Sequence, residues 1–149
     1  MRFKFSEDFT IDSDKEPYKR EGIRAGLYGA PGSTKSYTAA AFLIEPFLAQ
    51  GGTVVIFQPD AEWHTLKHTF PNVQVVGGPY AQDAPFVASQ PKLYAETVVK
   101  DGVSLVFYTP DVEEEDKLIA FVERFLDHVM RLEEIHHRPL LIALEEAHE

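Results

Sequence analysis

Three uninterrupted apolar runs constrain the fold more than any other feature of the chain. They are residues 53–58 (TVVIFQ), 103–109 (VSLVFYT) and 140–144 (LLIAL). A strand with one wet face alternates apolar and polar residues. A run that does not alternate belongs to a strand covered on both faces, as in a parallel sheet flanked by helices. Residues 73–76 form a shorter run of the same kind.

Helical patterns fall between these runs. Residues 35–50 are alanine-rich and stop at Gly51-Gly52; Pro46 inside them predicts a kink or an early end. Residues 91–100 place Pro91 in a first turn and Gly102 just past the stop. Asp111 and Glu114 read as a capping box for a third helix. In it Leu118, Val122, Phe125, Val129 and Leu132 step by four and three along one face, until Arg138-Pro139 ends it. Residues 77–91, with three prolines and two glycines, read as a loop. Strands alternating with helices predict an α/β fold with a mainly parallel sheet.

The chain has 149 residues, about one domain's worth. Residues 1–22 read as a polar N-terminal extension with short edge strands, because Phe3, Phe5, Phe9 and Ile11 alternate with polar neighbours. Residues 23–149 read as the domain proper, beginning with a strand over residues 23–28. A net charge of −10 excludes a basic arm as the main device for binding nucleic acid. The absence of cysteine excludes a disulfide framework, a thiolate nucleophile and a cysteine-ligated metal. No apolar run approaches the roughly 20 residues that span a bilayer, and no apolar segment follows Met1 to make a secretory signal. The expectation is a cytoplasmic protein with no membrane partner.

The segment Gly29-Ala30-Pro31-Gly32-Ser33-Thr34-Lys35-Ser36 sits between an expected strand and an expected helix. That is the setting of a phosphate-binding loop, the Walker A motif. Small residues let successive backbone N–H groups point at phosphate oxygens, and the helix adds its positive end. Lys35 is placed to reach the β- and γ-phosphates, and Ser36 to set its hydroxyl on Mg²⁺. The match is incomplete: Thr34 stands where the pattern has glycine. Far along the chain, the apolar run 140–144 ends in Glu145-Glu146. The tip of a strand is where a P-loop enzyme keeps its Mg²⁺-associated acid and its water-activating acid, the Walker B position.

Together these elements resemble the HerA/FtsK-type P-loop ATPases, and HerA-like helicases and DNA translocases most closely. The most specific point is Glu145-Glu146-Ala147-His148, since the HerA-like proteins usually carry Glu-Glu-Ala-His there. Residues 57–63 (FQPDAEW) look like the aspartate-proline-x-glycine-glutamate-aromatic stretch of that family, with Gln58 in place of the aspartate and Ala61 in place of the glycine. The resemblance implies a RecA-like core that binds and hydrolyses ATP with Mg²⁺. It implies Lys35 and residues 29–36 on phosphate, Ser36 and Glu145 on Mg²⁺, and Glu146 as the residue that polarises the attacking water. It also implies a homo-oligomer, a hexamer, around DNA, a nuclease partner, and His148 as a reporter of nucleotide state. Further strands, a polar sensor residue and an arginine acting across subunits follow later in such chains, so the core is expected to be incomplete at its C-terminus. A second reading keeps the nucleotide and drops the turnover: a degenerate nucleotide-binding module with a structural or regulatory role, suggested by Thr34.

Other polar groups have simpler readings. His64 and His68 are four apart but lack a third ligand, and read as solvated helix residues. His136 and His137 complement a helix C-terminus, and the acidic run 113–116 complements a helix N-terminus. Trp63 and Phe70 read as packing residues, and Lys15, Lys19, Arg20 and Arg24 as a basic cluster on a solvated loop.

Overall fold

The computed structural model describes residues 1–17, 19, 26–28 and 34–145. The chain divides into two compact units, Met1–Gly51 and Gly52–Glu149, at the glycine pair that stops the first helix.

In the first unit, strands β1 (Arg2–Lys4) and β2 (Thr10–Asp12) pair antiparallel, with Phe3 opposite Ile11. The alternation of Phe3, Phe5, Phe9 and Ile11 thus makes a short hairpin. Of the strand expected over residues 23–28, residues 23–25 lie outside the described residues. Residues 26–28 carry no strand, and Tyr28 is 96% exposed.

The first helical stretch runs as α1 (Lys35–Ala39), a π-helical segment (Ala40–Ile44) and α2 (Glu45–Ala49). Pro46 explains the wide turn in the middle. Its ring would press on the Phe42 carbonyl in a regular α-helix, and it has no N–H to give. The Glu45 N–H instead reaches back five residues to the Ala40 oxygen, which widens the turn ahead of the proline. The helix therefore passes Pro46 rather than ending there. Phe47 stacks on Phe3 with ring centroids 6.0 Å apart, and Phe42 on Phe5 at 6.4 Å, so the hairpin covers one side of this helix.

The second unit is an α/β layer. Strands β3 (Thr53–Gln58), β4 (Val73–Val76), β5 (Ser104–Tyr108) and β6 (Leu140–Leu144) form one sheet in the order β4-β5-β3-β6. All three pairings are parallel, with Val55 opposite Leu105 and Ile142, and Val75 opposite Val106. Helix α3 (Leu66–Thr69) leads into β4, α4 (Pro91–Val99) links β4 to β5, and α5 (Glu115–His136) links β5 to β6.

Phe57 and Phe107 stack at 5.0 Å on one sheet face. Phe121 and Phe125 of α5 meet Phe107 edge-on at 5.4 and 5.7 Å, and Tyr94 of α4 does so at 5.2 Å. Side chains alternate across a strand, so Val54, Ile56 and Val106 belong to the opposite face, and they are buried too. All six residues of β3 are buried, as its unbroken apolar run requires.

Two expectations fail here. Asp111 does not cap α5. It closes a 3₁₀ turn over Thr109–Asp111, and its carboxylate accepts the Gly78 N–H at 2.8 Å; the helix starts after an extended Glu114. The run 140–144 is not covered on both faces. β6 is half-buried and Leu144 is 50% exposed, because among the described residues β6 is an edge strand paired with β3 alone. Composition does not distinguish a central strand from an edge strand that awaits cover.

Candidate functional site

The loop reading bears first on Thr34. Its backbone has φ 63° and ψ 25°, in the left-handed region. An L-residue there costs roughly 1–2 kcal/mol, and a β-branched one is a genuine outlier. Glycine is the default for such a conformation. Thr34 thus holds the backbone of the residue it replaces in the pattern. The helix opens directly after it, and the Thr38 N–H closes the first turn on the Thr34 oxygen at 2.9 Å. Lys35 and Ser36 occupy that first turn and are half-buried. Gly29, Ala30, Pro31, Gly32 and Ser33 lie outside the described residues.

A left-handed residue ahead of a helix turns neighbouring N–H groups to one side and makes a concavity suited to an anion. An ammonium and a hydroxyl on the next two residues are the donors that a triphosphate and its Mg²⁺ require, so the side chains present fit that ligand.

The acids come from β6. Glu145 follows the strand, and its N–H donates to the Phe57 oxygen at 3.1 Å, which carries the ladder one residue past Leu144. Glu146, Ala147 and His148 lie outside the described residues. Lys35 and Ser36 belong to the first unit and Glu145 to the second.

The carboxyl end of the sheet is where ligands of open α/β folds bind, and several polar groups gather there. Gln58 ends β3 and is 1% exposed. Its side-chain oxygen accepts the N–H groups of Glu62 and Trp63 at 3.1 and 3.0 Å, while its backbone oxygen accepts the Thr109 hydroxyl at 3.1 Å. Gln58 therefore folds the turn 59–62 and leaves Asp60 and Glu62 exposed. Sequence reasoning missed this role; an amide closing an apolar run was the available signal.

Asp83 is held to Lys67 Nζ at 2.7 and 2.8 Å and accepts the Val75 N–H at 2.8 Å. Burial pushes its carboxyl up, but the Lys67 ammonium and the Val75 N–H outweigh burial and hold it below the usual value. His64 sits against the Ala61 oxygen at 2.6 Å and packs on Tyr80 at 5.4 Å. Among the described residues no group of three His, Asp or Glu side chains is placed to hold a metal, and no helix is long and apolar enough to cross a membrane.

No protein-family model, curated protein or solved structure matches the chain.

Proposed function

We propose that the chain is a P-loop ATPase module of the HerA-like kind, with a RecA-like core, that binds ATP and Mg²⁺ and drives DNA translocation or unwinding as an oligomer. The observation that carries this reading is the left-handed backbone of Thr34 immediately before a helix that opens with Lys35 and Ser36. A strained conformation is kept where a phosphate cradle needs one.

In this reading residues 29–36 hold the phosphates, with every residue but Pro31 able to offer a backbone N–H. Lys35 would hold the terminal phosphates, and Ser36 and Glu145 are the residues that would hold Mg²⁺. Glu146 accepts a proton from the attacking water. Mg²⁺, when bound, neutralises charge on the phosphates as it builds.

Calorimetric titration with Mg²⁺–ATP tests the cradle: binding is expected in the native chain and is lost in Lys35→Ala. Unchanged affinity in that variant refutes the phosphate role.

The strain at Thr34 also favours a second reading, a nucleotide-binding module without turnover, because a Cβ and a hydroxyl crowd the place where phosphate would lie. DNA-stimulated hydrolysis that disappears in Glu146→Gln excludes it.

A further inference from the structure

β6 is five apolar residues without alternation. A strand specifies its register through a pattern that one face buries, and a uniform, half-buried edge strand specifies it weakly. Yet β6 pairs with β3 in a single register, from Thr53 opposite Leu140 to Phe57 opposite Leu144. A slip of two residues would keep every side chain on its face and move the strand's far end by about 7 Å.

The chain is also held just before the strand begins: the Thr53 N–H donates to the Pro139 oxygen at 3.0 Å. Arg138 Nε donates to the Val99 oxygen at 2.6 Å, and its Nη2 donates to the Lys100 oxygen at 3.1 Å. These carbonyls close α4, where a helix leaves its last acceptors without partners of its own. The space for the guanidinium comes from Gly102, where a Cβ would overlap it. The clamp stands on firm ground, since Val98 and Val99 are fully buried. Only Pro139 separates Arg138 from Leu140, and its ring fixes φ. β6 cannot slide by two residues while Arg138 keeps both carbonyls.

We propose that Arg138 is a positioning residue: its clamp on the end of α4 sets the register of β6, and with it the place of Glu145 at the opposite end of the strand. The catalytic meaning of that placement rests on the ATPase reading; the register does not.

NMR of the whole chain tests it in two variants, Arg138→Met and Arg138→Lys. In the methionine variant a second set of signals is expected for residues 140–145, without the Val55–Ile142 and Ile56–Ala143 contacts, while the β3–β5 contact Ile56–Val106 persists. Lysine offers one ammonium to the same carbonyls and is expected to restore most of the native set. A methionine variant that melts earlier yet keeps one native set of β3–β6 contacts overturns the proposal. If that chain does not fold, the lysine variant decides: a minor second set supports the clamp, and a single native set overturns it. A shifted register with undiminished Mg²⁺–ATP affinity would leave the clamp standing and count against the role of Glu145 in the ATPase reading.

Discussion

Among the described residues, the unit Met1–Gly51 buries three hydrophobic side chains, Phe3, Ile44 and Phe47, whereas Gly52–Glu149 buries nineteen. Charge divides as unevenly. Residues 1–51 carry seven acidic and seven basic residues, and residues 52–149 carry seventeen acidic and seven basic. The net charge of the chain therefore belongs entirely to the sheet unit, and the overall acidity says little about what the first unit meets. The loop residues proposed to hold phosphate sit on the thinly buried, electrically balanced unit, and the acids on the consolidated one. Sites that must admit and release a ligand are drawn from the less stable parts of a fold.

The largest effect expected from this contrast is in the sheet core. Phe107 is fully buried and meets the rings of Phe57, Phe86, Tyr94, Phe121 and Phe125. Phe107→Ala should lower unfolding stability by about 3–5 kcal/mol in a denaturant titration. Phe47 is 9% exposed and stacks on Phe3. Phe47→Ala should cost roughly half as much, because the cavity it leaves is shallower. Equal losses in the two variants would break the comparison.

Legibility in the sequence follows the same division. The sheet was readable because TVVIFQ and the run around Val106 are covered on both faces, and the amphipathic stripe of α5 named Phe125 and Val129 correctly. Phe121, one of its deepest residues, was not named in that stripe, although it stands three after Leu118 and four before Phe125 on the same apolar side. Strand order was not readable. LLIAL has the composition of a central strand, and only its pairing with β3 alone, among the described residues, reveals an edge. Asp111 looked like a cap because the spacing to Glu114 fits one, but the Gly78 N–H is a better-placed donor from a loop 33 residues away. In the site, the helix beginning at Lys35 was legible; the left-handed Thr34 was not, since propensity argues against it.

That strain supplies a smaller, opposite effect in the first unit. Thr34→Gly removes a cost of roughly 1–2 kcal/mol in the folded chain and adds about 0.5–1 kcal/mol of lost backbone entropy. The net expectation is a gain of about 0–1.5 kcal/mol in the same titration. A glycine variant less stable than the native chain would mean that this backbone is not held left-handed, and the case for a phosphate cradle would lose its main support. The gain should be confined to the first unit: amide exchange is expected to slow in α1 and to stay unchanged in β3 and β5.

The smallest effect is a pH dependence in the sheet unit. Burial pushes the Glu133 carboxyl above its ordinary value, against the Arg138 N–H and the charges of Arg138, His137 and His136, which act to lower it. One of its oxygens is buried with no hydrogen-bond partner. A group whose pKa is raised on folding favours the folded state at pH values below its unfolded pKa, and that contribution is lost as pH rises through the folded pKa. Glu133→Gln cannot ionise, so its stability relative to the native chain should climb as pH rises through the carboxyl's raised pKa and level off above it. The difference should be a few tenths of a kcal/mol, because the carboxyl is partly solvated. Asp83 must give the opposite sign. Its lowered pKa makes a contribution that is present at neutral pH and disappears as pH falls below the usual carboxylate range. A Glu133→Gln chain that tracked the native one at every pH would show the carboxyl to be as well solvated folded as unfolded.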